Sequence, residues 1–127
     1  MSKYKVKKNK IKFLVLGAHG DIGISICKVI KKSFKNATVE GSDIKSHGMG
    51  DLIFDKVHKI SGPHQNKYKT EIKKIANKFD LIIPSNKKEI YFLSKNNLGI
   101  NEKLLINNFQ IINKFKNKIK LNNFLKI

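Results

Sequence analysis

Three glycines, each three residues after the one before, form the candidate ligand-binding motif of this chain. Gly17, Gly20 and Gly23 follow an apolar stretch at residues 11–16 and introduce a second one with helical spacing. Glycine lets the backbone turn sharply and lets a ligand approach the amides, and the helix N-terminus behind such a turn favours an anion. Asp43, twenty residues past Gly23, is the acid that ends a second predicted strand. This spacing is typical of the first β-α-β unit of a Rossmann-type fold, a unit that many unrelated activities share.

Strands and helices that alternate along the chain must position these residues. Apolar patterns and turn residues predict strands at 11–16, 37–42, 56–60, 80–83 and 104–107, and helices at 22–34, 67–79, 87–95 and, in one or two pieces, 109–127. Residues 44–55 form a glycine-bearing loop with one helical turn, and Ser85 or Asn86 caps the third helix. Strands alternating with helices of this length favour a parallel sheet covered on both faces. The predicted fold class is α/β, a Rossmann-like three-layer αβα arrangement with a parallel sheet of about five strands.

Length and composition indicate one small globular domain. The chain has 127 residues, 40% of them hydrophobic, which is enough for a core but short for a complete dinucleotide-dependent enzyme. No run of eighteen apolar residues and no signal-peptide core is present, so neither a membrane partner nor export is expected. Cys27, the single cysteine, lies among the apolar residues of the first helix, which are Ile22, Ile26, Val29 and Ile30. It is expected to be a reduced core residue of a cytoplasmic protein.

The formal net charge of +18 does not by itself predict a nucleic-acid-binding protein. All 27 basic residues are lysines, they occur in every segment, and asparagine and isoleucine are also abundant. This is the residue usage that A/T-rich codons supply. Nucleic-acid readers place arginines and stacking aromatics on one surface. We therefore expect weak polyanion binding at low salt and no specific nucleic-acid partner.

The histidines and the cysteine show no metal-binding spacing. His19, His47, His58 and His64 form neither a His-x-x-x-His pair nor a ligand set with Cys27. No serine or cysteine nucleophile with a base stands out either. The sequence therefore assigns no catalytic residue and no metal ligand. His19 lies inside the glycine turn, where it either donates to a bound anion or points to solvent.

In order and spacing, the segments resemble the N-terminal, pre-ATP-grasp domain of ATP-grasp ligases, especially those similar to the carbamoyl-phosphate synthase large subunit. The resemblance covers about residues 11–126. In such proteins a strand ending in Ile-Pro is followed by Ser or Thr and then by a Glu in the next helical turn, as in Asp80–Glu89 here. The other segments that carry the resemblance are Leu14–Gly23, Gly41–Asp43, Leu52–Ile60, Asn117-Lys118 and Asn123–Lys126.

The resemblance implies a part of an ATP-dependent ligase. ATP-grasp enzymes use Mg-ATP to activate a carboxylate as an acyl phosphate and then pass the acyl group to an amine or another nucleophile. The expected domains are a basic tail at 1–10, a Rossmann-like pre-ATP-grasp domain at 11–117, and a helix at 118–127 leading toward an ATP-grasp domain that the sequence does not contain. The chain is thus expected to be a truncated or split, substrate-side domain that is inactive alone and binds no cofactor alone.

The complete ligase is expected to use ATP and Mg. The partners that the resemblance implies are an ATP-grasp domain, in cis or in trans, and a small-molecule carboxylate; a homodimer is compatible with it. Amides around Ala18–Gly20 would hold a carboxylate or phosphate, while Asp43, Ser85 and Glu89 would orient polar groups, because ligands of open α/β sheets lie at the carboxyl ends of the strands. The full set of candidate ligand-binding residues is Gly17, Ala18, His19, Gly20, Asp21, Gly23, Asp43, Ser85 and Glu89.

Structural roles are equally compatible with these residues. Turn geometry alone explains the glycines. Asp43 can be a solvated strand end, and Glu89 a charge stabilised by the N-terminus of its helix.

Two other functions stay open. The glycine spacing also occurs in short-chain dehydrogenase- and epimerase-type NAD(P)-binding domains, in which Asp43 would take the ribose hydroxyls. Those proteins usually have Thr where this chain has Leu16, and the Tyr91…Lys95 pair, which matches their Tyr-x-x-x-Lys motif, comes too early in the chain. The remaining alternative is a stand-alone nucleotide-binding module without chemistry.

Overall fold

A computed structural model describes residues 10–106 of the chain; the predictions for residues 1–9 and 107–127 lie outside this range. The elements run in the order β1 (Lys12–Leu16), α1 (Asp21–Ser33), β2 (Thr38–Asp43), a 3-10 turn (Met49–Leu52), β3 (Lys56–Lys59), α2 (Tyr68–Ala76), β4 (Leu81–Pro84) and α3 (Lys87–Lys95). Each predicted element in this range is found within a few residues of its predicted bounds, except the fifth strand.

The four strands form one parallel sheet in the order β3-β2-β1-β4. β1 is central, and its residues from Phe13 to Leu16 are buried on both faces, as expected for a parallel strand covered by helices. The predicted fifth strand is present in the described residues as a single parallel bridge between Ile82 and Leu104. The predicted Rossmann-like α/β fold is confirmed, with four strands and one bridge instead of about five strands.

Side chains of alternate strand residues enter two separate cores, one on each face of the sheet. Leu14 and Leu16 pack with α2, α3 and Leu104. Phe13 and Val15 pack with α1 and with Phe54 of the loop between β2 and β3. The helices thus lie on both faces, which makes the three layers.

α1 buries one edge of its predicted apolar stripe, including Ile30, and leaves the other edge exposed. It buries Gly23, Cys27 and Ile30, whereas Ile22 and Val29 are 62% and 63% exposed. A β-carbon at Gly23 would overlap the carbonyl oxygen of Gly17, so the helix approaches the preceding turn too closely for any larger residue there. This close approach sets the rotation of the helix. The expectation that Cys27 is a buried core residue is confirmed.

The loop at residues 44–55 contains the predicted single helical turn and is fastened to α1 and β2. The Lys31 ammonium donates to the carbonyl of Ile53 (2.9 Å) and pairs with Asp55 (3.0 Å), whose other oxygen accepts from the amide of Val39 (2.8 Å). Burial alone would raise the pKa of the Asp55 carboxyl, but the Val39 amide and the Lys31 charge outweigh burial and lower it. These bonds fix the loop against α1 and β2. The loop thus connects β2 and β3, two parallel strands that a helix usually connects.

No helix within residues 10–106 is both long and apolar enough to cross a membrane.

Candidate functional site

The carboxyl ends of β1, β2 and β4 meet and are joined by hydrogen bonds. The amides of Gly17 and Ala18 both donate to the carbonyl of Ser42 (2.8 and 3.0 Å). From the other side, the amide and hydroxyl of Ser85 both donate to the carbonyl of Leu16 (3.0 and 2.5 Å). The glycine turn is therefore held between the ends of the two strands that flank β1. Ligands of open parallel sheets occupy this edge.

Two of the three glycines are required by packing. Gly17 has a φ of +91°, a conformation that other residues rarely adopt, and a β-carbon there would overlap the Ser85 hydroxyl. Gly23 lies against the carbonyl of Gly17, as described above. Gly20 is exposed, and the nearest atom to a β-carbon there would be 3.6 Å away. The motif therefore forms the turn whether or not a ligand is bound.

The amides of the turn are already used within the chain. Besides those of Gly17 and Ala18, the amide of His19 donates to Asp43 (2.8 Å) and that of Gly20 to the carbonyl of Gly17 (3.2 Å). α1 begins without a side-chain cap, so the amides of its first turn are the ones available to an acceptor. Asp21 lies in that first turn, and its negative charge disfavours a second anion. In this conformation, residues 17–20 offer no free amide to a phosphate or carboxylate.

Asp43 and His19 connect the turn to the loop that follows β2. The Asp43 carboxylate accepts from the amides of His19 and Lys45 (2.8 and 3.0 Å). Nδ1 of His19 accepts from the amide of Gly50 (3.1 Å), so Nδ1 carries no proton and the neutral ring holds its proton on Nε2. Nε2 is buried without a hydrogen-bond partner. His19 therefore binds the loop to the turn, a role that neither sequence interpretation foresaw.

Glu89 lies at the same edge in the first turn of α3 and is 6% exposed. Its carboxylate accepts from the hydroxyl of Tyr68 (2.7 Å) and from the side-chain amide of Asn86 (2.5 Å). Asn86 also caps α3 by accepting from the amide of Glu89 (2.8 Å), as its position in the sequence predicts. Tyr68, on α2, is the partner of Glu89 that the sequence analysis missed. Tyr68 falls in the apolar pattern of its helix, which predicts core packing and gives no indication of a hydrogen bond to Glu89.

The environment shifts the pKa values of this buried pair. Burial raises the pKa of the Glu89 carboxyl, and the charge of Asp43 raises it further, against the lowering by the Tyr68 and Asn86 hydrogen bonds. Burial and the neighbouring Glu89 charge raise the pKa of the Tyr68 hydroxyl. Asp43 and Glu89 are thus close enough for their charges to interact. The structure brings Gly17, His19, Asp43, Ser85 and Glu89 together, while Asp21 is exposed on α1.

Among residues 10–106, no group of three or more His, Cys, Asp or Glu side chains is placed to hold a metal ion.

Comparisons with known proteins place the fold. No family model matches the sequence, and no curated protein matches it. The chain is similar in structure to N5-carboxyaminoimidazole synthetase from Staphylococcus aureus complexed with ADP (TM-score 0.69, 14% identity, 95% of this chain and 31% of that chain). It is also similar to N5-carboxyaminoimidazole ribonucleotide synthetase from Thermotoga maritima (0.67, 15%, 91% and 30%). A third similar structure is the biotin carboxylase domain dimer of Hydrogenobacter thermophilus 2-oxoglutarate carboxylase, in complex with MgADP, ADP and bicarbonate (0.59, 15%, 92% and 27%).

The chain has the fold of the N-terminal, pre-ATP-grasp domain of ATP-grasp ligases. It spans less than a third of the length of each of these three proteins, as an N-terminal domain would. The likenesses to dehydrogenases are weaker. The narrower resemblance to carbamoyl-phosphate synthase stays a prediction.

Proposed function

We propose that this chain is the substrate-side domain of an ATP-grasp carboxylate-amine ligase. The observation that carries the proposal is the fold, since more than nine-tenths of the chain superimposes on less than a third of two ATP-grasp ligase chains with TM-scores of 0.67 and 0.69. In this proposal the domain comprises residues 11–117, after a basic tail at 1–10, and residues 118–127 lead toward the ATP-grasp domain.

The hydrogen bonds of the glycine turn support the view that a separate domain binds the nucleotide. The amides of residues 17–20 are occupied, and Asp21 adds a negative charge to the helix N-terminus behind them. The turn is therefore poorly suited to hold nucleotide phosphates. ATP and Mg would be held by an ATP-grasp domain, in cis or in trans, and this chain would provide one wall of the cleft.

The carboxyl edge of the sheet is the part of the domain that would meet the non-nucleotide substrate. There, Asp43, Ser85 and Glu89 would orient polar groups of a small carboxylate. In the reaction, a carboxylate oxygen attacks the γ-phosphorus of ATP, ADP leaves, and an amine then displaces phosphate from the acyl phosphate. The residues described here bind and orient in this scheme, and none of them donates or accepts the reacting proton.

The proposal is tested by adding an ATP-grasp module to the chain and measuring ADP release. Release should depend on the chain, on a carboxylate and on an amine together, and the chain alone should release no ADP. If the pair releases no more ADP than the module alone across a panel of carboxylates and amines, the ligase assignment is wrong. Micromolar binding of NAD(H) or NADP(H) to the chain would instead favour the dehydrogenase-like alternative.

A further inference from the structure

The loop between β2 and β3 is attached to the glycine turn by a hydrogen-bond acceptor that protonation removes. The amide of Gly50 donates to Nδ1 of His19 (3.1 Å). An imidazole ring that takes up a second proton carries a donor on both nitrogens and accepts no hydrogen bond. The bond to Gly50 and the charged form of His19 therefore exclude one another, whichever ring nitrogen faces the amide.

The packing around the ring offers a charged His19 no other acceptor. β-Carbons at Gly48 and Gly50 would lie less than 3 Å from atoms of the ring, so the backbone of the loop lies directly on it. Nε2 is buried and has no hydrogen-bond partner among the residues that the structure describes. A charged ring would thus hold two N–H donors without acceptors while the loop is attached. Leaving one buried donor without a partner costs about 1–3 kcal/mol.

Charged groups on the neighbouring elements do not replace the lost acceptor. The ionisable side chains at the end of β2, in the loop and in the first turn of α1 are those of Asp43, Lys45, His47, Asp51 and Asp21. Asp43 and Asp51 accept from backbone amides. Within residues 10–106, none of the five side chains is hydrogen-bonded to the His19 ring. With three acids against two basic side chains, the net charge of this set does not repel a cation at His19.

The other end of the loop is held by contacts that mild acid leaves intact. The Lys31 ammonium donates to the carbonyl of Ile53 and pairs with Asp55. Asp55 also accepts from the amide of Val39. Burial would raise the pKa of the Asp55 carboxyl, but these interactions outweigh burial and lower it, so Asp55 stays ionised in mild acid. Protonation of His19 therefore leaves this end of the loop attached.

We propose that the His19 ring is a pH-dependent latch, which holds residues 46–52 of the loop against the glycine turn when it is neutral and releases them when it is charged. These residues lie on the turn itself, since a β-carbon at Gly50 would overlap the carbonyl oxygen of Ala18. Their release uncovers the turn at the carboxyl edge of the sheet. Access to this edge thus increases as pH falls through the range in which histidine titrates, whatever the edge binds.

The latch is tested in the full chain by NMR hydrogen exchange of the Gly50 amide at about pH 7.5 and about pH 5, expressed as a protection factor relative to the intrinsic rate at each pH. A histidine without partners binds its proton at about pH 6.5. If the ring cannot bind this proton while the loop is attached, the protection factor should fall about thirtyfold between the two pH values. The amide of Val39, which Asp55 accepts, should keep its protection.

Two results of this measurement would overturn the proposal. One is a protection factor of the Gly50 amide that is the same at both pH values. The other is an equal loss of protection at Val39, which would mean that the domain opens as a whole and not at the loop.

Two variants assign the pH dependence to one ring. Asparagine has a side-chain amide that does not titrate, so His19→Asn should give the Gly50 amide the same protection factor at both pH values. His47→Ala removes a histidine of the same loop whose side chain is 90% exposed, and the fall should remain about thirtyfold. A fall that persists in His19→Asn, or that disappears in His47→Ala, would assign the pH dependence to another group and contradict the latch.

Discussion

Gly20 and Gly23 differ in their surroundings although they belong to one sequence motif. A β-carbon at Gly23 would overlap the backbone oxygen of Gly17, whereas the nearest atom to a β-carbon at Gly20 would be 3.6 Å away. Gly23→Ala should therefore lower the free energy of unfolding by about 3 kcal/mol, since a backbone atom cannot move aside cheaply. Gly20→Ala should cost less than about 1 kcal/mol. Urea unfolding of both variants measures the difference, and equal costs would show that the turn adapts.

Glu89 makes folding stability depend on pH in a definite direction. The pKa of its carboxyl is raised in the folded chain. The stabilisation that Glu89 contributes to the free energy of unfolding is therefore fully present below the pKa of the unfolded chain, and it is lost as pH rises through the pKa of the folded chain. Glu89→Gln keeps the shape and removes this loss. The free energy of unfolding of the variant, relative to the original chain, should therefore rise between pH 4 and 8.

The matched control for this measurement is Glu102→Gln, which changes an exposed carboxylate and should show no such trend. Urea unfolding across the pH range gives both curves. A difference between Glu89→Gln and the original chain that stays constant with pH would mean that Glu89 titrates normally.

At the scale of elements, the loop between β2 and β3 is held to the glycine turn through one histidine ring. Nδ1 of His19 accepts from the amide of Gly50, and the ring packs on Gly48 and Gly50, where β-carbons would meet it at less than 3 Å. His19→Ala should therefore speed hydrogen exchange of the Gly50 amide at least about tenfold. His47→Ala changes an exposed histidine of the same loop and should leave that rate unchanged. NMR exchange rates decide, and a Gly50 amide that is equally protected in His19→Ala would locate the attachment elsewhere.

Element positions were predictable from the sequence, but the orientation of α1 was not. Periodicity and turn residues place the strands and helices of residues 10–106, because both signals are local. The rotation of α1 depends on the contact of Gly23 with Gly17, and an apolar pattern that includes Ile22 and Val29 hides this contact. A short apolar run predicts the fifth strand. Within residues 10–106, this run forms a single bridge, between Leu104 and Ile82.

The sequence predicts which residues lie at the candidate site, but it does not predict the hydrogen bonds that connect them. Asp43 and Glu89 follow from the ends of β2 and β4, which converge in any parallel sheet of this order. Their partners, His19 and Tyr68, come from contacts distant in sequence. The occupied amides of the turn also have no sequence signal, since the same glycine pattern serves turns that bind phosphate and turns that do not.

At the scale of the whole molecule, the structure describes a three-layer domain whose carboxyl edge carries Asp43 and Glu89 in a chain with a net charge of +18. The fold is shared with the N-terminal domains of ATP-grasp ligases, and the glycine turn is bonded internally. Both observations support the proposed substrate-side role of the domain.

The most direct test of this account is to measure kcat/KM for the carboxylate in the complete ligase formed with an ATP-grasp module. Asp43→Asn removes a charge at the carboxyl edge, and Glu102→Gln removes a charge from an exposed position away from it. The account predicts that Asp43→Asn lowers kcat/KM by about tenfold or more, as the loss of one charge-assisted contact would, while Glu102→Gln leaves it unchanged. Equal values for the two variants would contradict a substrate-side role for this edge of the domain.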